Sequence, residues 1–396
     1  MKGRASAGQL LIASVTWLAV ALSTAPATAG VSFFPLPLYA TTPNEGGTYG
    51  FLPVFMYADA NGQVQSITAP SVSWNRWSGV NGTFRYYRYF NPRASWSIIG
   101  SASVTLNRNL WFRFDDDRVE PRTSTLNISA RVRQNIFYRF FGLGPDTTPA
   151  DESSYTRLST VMTGRWGWNF LRGLNLAGLV EVHGDQPKVH TIGNLPSTQA
   201  VYPDAPGLAT SAFVREGVSL RYDDRDGGDY ARVGVASELS ASIAEAITGA
   251  DTFGELIWHT RALLPETSWL QGAGRLYWRQ TIGDLIPFYD QASLGGEVLL
   301  RGFPEDRFID KGAWEAEIEQ RIRLYEGHFF GVTTDWRLDP FVAVGQVYSD
   351  LALFSHVRYA GGFGLRTWIK PDIVGRVDLA WGGEGLRAYV TLGYPY

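Results

Sequence analysis

The stretch LGGEVLLRGFPEDRFIDKGAWEAEIEQRIRL, residues 294–324, decides the fold. Its second half alternates between two kinds of side chain: Trp314, Ala316, Ile318, Ile322 and Leu324 on one parity, and Glu315, Glu317, Glu319, Arg321 and Arg323 on the other. Successive side chains of a strand point to opposite faces, so this segment is a strand with one apolar and one charged face. A soluble sheet could show the same alternation, but five charges on one face suit a water-filled lumen with lipid outside.

The first half of the stretch has a different character. Gly295, Gly296, Gly302 and Pro304 are incompatible with a regular strand or helix. We therefore expect a structured loop with a single arginine, Arg301, near its middle.

The rest of the chain repeats the alternating pattern. From residue 48 onward, 15 to 17 segments of about ten residues alternate and are separated by turn residues, and residues 184–210 form a Pro/Gly-rich loop. Bacterial single-chain barrels have an even number of strands, so the sequence predicts an all-β, transmembrane antiparallel β-barrel of about 16 strands. A soluble sandwich or propeller is the alternative, but the outward parity of the last strands carries no charge.

Composition excludes several classes of protein. The net charge is −3, which provides no basic surface for nucleic acid. The chain has no Cys, so disulfides, thiol nucleophiles and cysteine-ligated metals are excluded. His183 and His190 are better explained as loop or interface histidines than as a metal pair, and residues 115–117 and 223–226 as solvated acidic turns. The sequence thus predicts no metal, no cofactor and no enzyme activity.

The N-terminus predicts export. Residues 1–29 combine a basic start, an apolar run at 10–22 and an Ala-Thr-Ala site, the pattern of a signal peptide cleaved before Gly30. Residues 30–47 contain three prolines and no period, so we expect a periplasmic lead-in segment there. The barrel would then occupy residues 48–396.

Several motifs resemble those of one family. Leu300-Arg301-Gly302-Phe303 resembles the (V/I/L)RG(F/Y) loop motif of the BamA/TamA outer-membrane superfamily, the bacterial surface antigen type. Further similar elements occur in the family's order: Phe141-Gly142-Leu143-Gly144 with Thr147, Ser154 and Tyr155; Tyr222-Asp223-Asp224-Arg225-Asp226; Glu319-Gln320-Arg321; and the terminal β-signal with Leu392, Gly393, Tyr394 and Tyr396. Together they cover about residues 51–396.

The resemblance implies a specific site. In this family the loop folds into the lumen, and its arginine packs against acidic residues of the wall. The candidate partners of Arg301 here are Glu315, Glu317, Glu319 and Arg321, with Glu319 or Glu317 expected to bind the guanidinium. One family position departs from the pattern, because Ala343 stands where an acid is usual. The acidic surroundings of Arg301 would be incomplete, or completed by another strand.

The resemblance also implies a function. About 18 residues separate the cleavage site from the first expected strand, too few for a periplasmic POTRA domain, so a standalone barrel is expected. Its implied activity is assisting insertion or translocation of a polypeptide or lipid through a weak seam between the first and last strands. The implied partners are outer-membrane lipid, the barrel assembly machinery and client polypeptides, with the protein itself a monomer. The alternatives are a passive pore or structural surface protein, and a receptor or enzyme using loop 184–210.

Overall fold

The computed structural model describes residues 30–60, 63–91, 93–226, 231–329, 332–349, 355–369 and 373–392. The predicted signal peptide lies outside these residues. So do Gly393, Tyr394 and Tyr396 of the expected β-signal, while Leu392 is the last residue of the final strand.

The first half of the chain forms a continuous series of strands. These are β1 (Gly30–Thr42), β2 (Gly46–Ala58), β3 (Val64–Thr68), β4 (Ser71–Asn75), β5 (Gly79–Asn91), β6 (Ala94–Ser103), β7 (Arg108–Asp116), β8 (Ser124–Phe140), β9 (Ser153–Leu171) and β10 (Leu174–Lys188).

The second half continues the series around one long connection. It contains β11 (Ser211–Asp223), β12 (Gly234–Thr248), β13 (Phe253–Pro265), β14 (Leu270–Ile282), β15 (Ala292–Leu294), β16 (Phe308–Asp310), β17 (Gly312–Phe329), β18 (Val332–Tyr348), β19 (Arg358–Ile369), β20 (Ile373–Gly382) and β21 (Gly385–Leu392).

The strands close into an antiparallel barrel. Each strand pairs with the next, β14 pairs with β17, and β1 pairs with β21 through Thr41 and Val390. The main sheet has 19 segments, but β3 and β4 both lie between β2 and β5 and are two parts of one barrel strand. Within the described residues the barrel therefore has 18 strands. The expected number of about 16 was slightly too low.

The lead-in segment predicted at residues 30–47 is wrong. Residues 30–42 are β1, paired with β2 over 13 consecutive positions. The strand was missed because both its faces are uncharged and it contains Pro35 and Pro37, so it shows no alternation of apolar and charged residues. Proline is tolerated here because β1 is the first strand, beside the seam.

The two faces of the wall differ as the sequence predicted. On β17, Ile318 is 69% exposed on the outside, whereas Glu315, Glu317 and Glu319 on the other parity are at most 1% exposed. The outer face of the barrel carries many exposed apolar side chains, among them Trp166, Val180, Val342 and Tyr359. A wall that is apolar outside and charged inside is the pattern of a barrel in lipid.

Long connections gather at one end of the barrel. They span residues 141–152, 189–210 and 283–311, and the last of these, which we call the lumen loop, contains β15 and β16. The helices that the structure describes are single turns at Pro149–Asp151, Thr198–Val201 and Phe288–Asp290. None of the helices in the described residues has the length and apolar character needed to cross a membrane.

Candidate functional site

The lumen loop is folded back on itself. β15 and β16 form a short antiparallel ladder from Ala292–Asp310 to Leu294–Phe308. Gly295 and Gly296 follow with φ of 111° and 114°, a region that L side chains rarely adopt. A Cβ at Gly295 would lie 2.1 Å from the Pro304 oxygen, so the turn requires glycine there. This geometry directs residues 297–303 toward the barrel wall.

Arg301 is fully buried and held by carboxylates. Its Nη2 lies 2.7 Å from Glu317 Oε1 and 3.0 Å from Glu319 Oε2, and its Nη1 lies 3.2 Å from Asp378 Oδ1. The guanidinium also stacks on Phe341, 3.5 Å from the ring centroid. Charge-assisted hydrogen bonds from a rigid, planar donor fix both position and orientation. The expected pairing of Arg301 with Glu317 or Glu319 is present with both.

Asp378 on β20 is the partner that the sequence did not identify. Besides Arg301 it binds Arg366, 2.8 Å away, and Arg376. Ala343 does lack the expected acid, and the acidic surroundings are completed by a different strand. Asp339 on β18 adds a further carboxylate, 3.4 Å from Arg366. Paired charges in this arrangement can be buried because each has opposite charges around it.

The other two candidate partners act beside Arg301. Glu315 binds Arg275 at 2.8 Å and accepts a hydrogen bond from the Leu300 backbone N–H at 3.3 Å. Arg321 lies 2.9 Å from Glu319. Glu315 thus positions the backbone next to Arg301, and Arg321 contributes to the charge balance of Glu319.

The remaining residues of the motif each have a structural reason. Leu300 is buried with φ of 48°, a backbone conformation that turns the chain immediately before Arg301. A Cβ on Gly302 would lie 2.6 Å from the Gly382 backbone N, so only glycine permits this approach to the end of β20. Phe303 is buried against Phe308, and its carbonyl accepts a hydrogen bond from Tyr389 Oη at 2.6 Å.

Arg307 is a second buried arginine of the lumen loop, also missed by the sequence analysis. It lies 2.6 Å from Glu384 in the β20–β21 turn and donates to the Thr147 hydroxyl at 2.8 Å and the Thr147 carbonyl at 2.7 Å. Its only sequence signal was its place in PEDR, which does not reveal partners 77 and 160 residues away. Arg307 joins three separate parts of the barrel end.

Two of the long loops also pack on Phe140, the last residue of β8. Phe140 stacks near Phe288 of the lumen loop, with centroids 4.2 Å apart, and meets Tyr202 of the 189–210 loop at 5.0 Å. The Gly144 N–H donates to the Ile309 carbonyl at 2.7 Å. The predicted motif around Phe141 therefore packs against the lumen loop.

Comparison with known proteins agrees with this architecture. The crystal structure of BamA from Haemophilus ducreyi lacking POTRA domains 1–3 matches with a TM-score of 0.56 at 14% identity, covering 91% of this chain and 75% of that one. The fold is that of the BamA barrel. CdiB from Acinetobacter baumannii and CdiB from Escherichia coli each match with a TM-score of 0.49, at 10% and 13% identity. They cover 92% and 94% of this chain but only 65% and 63% of their own. No protein-family model matches the sequence.

In this BamA-type barrel the seam joins the first strand to the last. β1 and β21 share the single pair Thr41–Val390 within the described residues, whereas β20 and β21 share eight pairs. The lumen loop contacts the β21 side of the seam directly through Tyr389.

The acidic turn predicted at residues 223–226 is ion-paired, since Asp223 lies 2.8 Å from Arg221 and 2.9 Å from Arg225.

Proposed function

We propose that the protein is an outer-membrane barrel that assists insertion or translocation of polypeptides, and that the β1–β21 seam is where a client strand pairs. The observation that carries the proposal is the β1 edge at the seam, which contains Pro35 and Pro37 and, within the described residues, shares the one register pair Thr41–Val390 with β21. An unpaired strand edge offers backbone N–H and C=O groups to an incoming strand, so no covalent chemistry is required. The BamA-type fold supports the same proposal.

Two prolines weaken the β1 edge. Pro35 lies opposite Pro53 in the unbroken β1–β2 ladder. Neither can donate, so this pair fits a position where the two backbone nitrogens point away from each other. Pro35 and Pro37, two residues apart, then both direct their nitrogen toward the seam. The β1 edge that faces β21 lacks two of its donors.

A disulfide across the seam tests the proposal. Because the chain has no cysteine, Thr41→Cys/Val390→Cys introduces one defined pair at register partners. We expect purified protein in liposomes to accelerate membrane insertion of an unfolded outer-membrane barrel. Oxidation of the double variant should abolish this acceleration, and a reductant should restore it.

The matched control places the disulfide inside the first hairpin. Tyr39→Cys/Tyr49→Cys joins register partners of β1 and β2 without crossing the seam, so oxidation should leave the activity unchanged. Full activity of the oxidised seam variant, or no acceleration by the unmodified protein, would contradict the proposal.

The buried lumen loop favours a second candidate, a passive barrel whose lumen is closed by that loop. Deleting residues 294–308 should then give steady conductance in planar bilayers, and restoring the loop should remove it. Conductance of the deletion variant, together with no effect on client insertion by the intact protein, would favour this alternative.

A further inference from the structure

A histidine and two carboxylates meet where the lumen loop contacts β10. His183 and Asp185 lie on the lumen side near the end of β10, and Asp290 ends the single turn Phe288–Asp290 of the lumen loop. One potential ligand atom from each residue lies within 4.8 Å of the others. This cluster is separate from the carboxylates around Arg301.

The two nitrogens of His183 have different surroundings. Nε2 lies 2.7 Å from Asp185 Oδ2 and 3.4 Å from the Ser159 hydroxyl. Nδ1 lies 3.8 Å from Asp290 Oδ1, which is too far for a hydrogen bond. With Nε2 facing Asp185, Nδ1 faces the space beside Asp290 and also lies 3.9 Å from Glu181 Oε1.

Buried polar atoms in this space have no hydrogen-bond partner. Asp290 is 5% exposed, and its Oδ2, His183 Nδ1 and both carboxylate oxygens of Asp185 are buried without one. Leaving a buried polar atom without a partner is costly, so such atoms side by side need an explanation. Burial also raises the pKa of the Asp290 carboxyl, because its charge is poorly solvated.

We propose that His183 Nδ1 and Asp290 bind a divalent cation of the zinc type, with Asp185 orienting the imidazole from behind. Two ligands bound at about 2.1 Å to a tetrahedral ion are about 3.4 Å apart, close to the observed 3.8 Å. A metal-bound histidine commonly has a carboxylate beside its other ring nitrogen, and Asp185 Oδ2 lies 2.7 Å from His183 Nε2. The ion would join the lumen loop to the barrel wall.

The ligand set selects the cation. Imidazole with carboxylate oxygen suits Zn²⁺ and similar transition metals, whereas Mg²⁺ and Ca²⁺ require oxygen ligands. The neighbouring guanidiniums are already paired, since Arg157 lies 3.6 Å from Asp185, and Arg215 lies 3.4 Å from Glu181 and 2.7 Å from Glu255. Asp290 therefore remains as the carboxylate available for a cation.

Zinc binding to the refolded, full-length barrel in detergent micelles tests this site. Equilibrium dialysis with elemental analysis should show one Zn²⁺ per chain, and zinc should raise the thermal unfolding midpoint while Mg²⁺ does not. Asp185→Asn should weaken zinc affinity by about 10- to 100-fold. His183→Gln and Asp290→Asn, which remove ligands, should weaken it further.

Two matched variants control for general effects. His190→Gln removes the other histidine of the region, and Asp284→Asn removes an exposed carboxylate of the same loop, so both should bind zinc like the unmodified protein. Asp290→Asn lies in a loop, which keeps the test valid if His183→Gln fails to fold.

The opposing explanation is an imidazolium held between Asp185 and Asp290. In that case His183→Gln lowers the unfolding midpoint without zinc, and zinc changes neither protein. That result, or zinc binding that survives in both His183→Gln and Asp290→Asn, overturns the proposal.

Discussion

The lumen wall has two contrasting parts, one on each side of the seam. The wall of β17–β20 presents buried charges, and Glu317, Glu319 and Asp378 hold Arg301. The wall of β1–β5 contains a buried apolar cluster instead, with Val54 and Met56 of β2 beside Ile67 of β3. The same barrel therefore uses ion pairs on one side and apolar contacts on the other.

This difference between the two walls shows which side of the seam holds the lumen loop. Arg301, Arg307 and Phe303 attach the loop to β17, β20, β21 and the turn between the last two strands. Among the described residues, the loop meets the first hairpin through a hydrogen bond from Asn44 Nδ2 to the Glu305 carbonyl at 3.4 Å. We expect the first hairpin to move during any seam opening, while the loop stays with the C-terminal strands.

Removing Arg301 should have the largest effect on this contrast. Arg301→Ala leaves three buried carboxylates without their shared cation, so we expect a loss of about 3–5 kcal/mol in unfolding free energy. Urea unfolding in micelles measures it. Arg172→Ala, in an exposed turn, is the matched control and should change little. A loss no larger than that of the control would show that the charged wall does not hold the loop.

Met56→Ala should have an intermediate effect. Truncating this buried side chain creates a cavity in the apolar wall, with an expected cost of about 2 kcal/mol. The same unfolding assay applies, with Met162→Ala on the outer face, where the side chain is 54% exposed, as the control. An equal cost at both positions would mean that the apolar cluster of β1–β5 contributes no packing of its own.

Tyr389→Phe should have the smallest effect. It removes only the hydrogen bond to the Phe303 carbonyl, so we expect a loss of about 1 kcal/mol. Tyr359→Phe, whose side chain is 70% exposed, provides the reference. If both substitutions are neutral, the attachment of the loop to the last strand depends on apolar packing rather than on this bond.

The sequence predicted what depends on local pattern. Alternation identified the barrel and the lumen face of β17, and with the family resemblance it pointed to Glu317 and Glu319 as partners of Arg301, because these lie within 18 residues of it. Asp378, Glu384 and Thr147 were missed because their contacts depend on barrel register across 77 to 160 residues. β1 was missed because a strand with two uncharged faces shows no alternation of apolar and charged residues. The contact of His183 with Asp290 was missed because Asp290 lies in a loop 107 residues away in the sequence.

The spacing of the contacts of Arg301 also bears on the order of folding. Glu317 is 16 residues from Arg301, but Asp378 is 77 residues away, on the second-last strand. Contacts of short separation require little loop-closure entropy, whereas distant ones form only after the intervening chain is ordered. We expect the guanidinium to bind Glu317 early and Asp378 late. The lumen loop would then reach its final position only when β20 joins the sheet, which makes its attachment a marker of barrel completion.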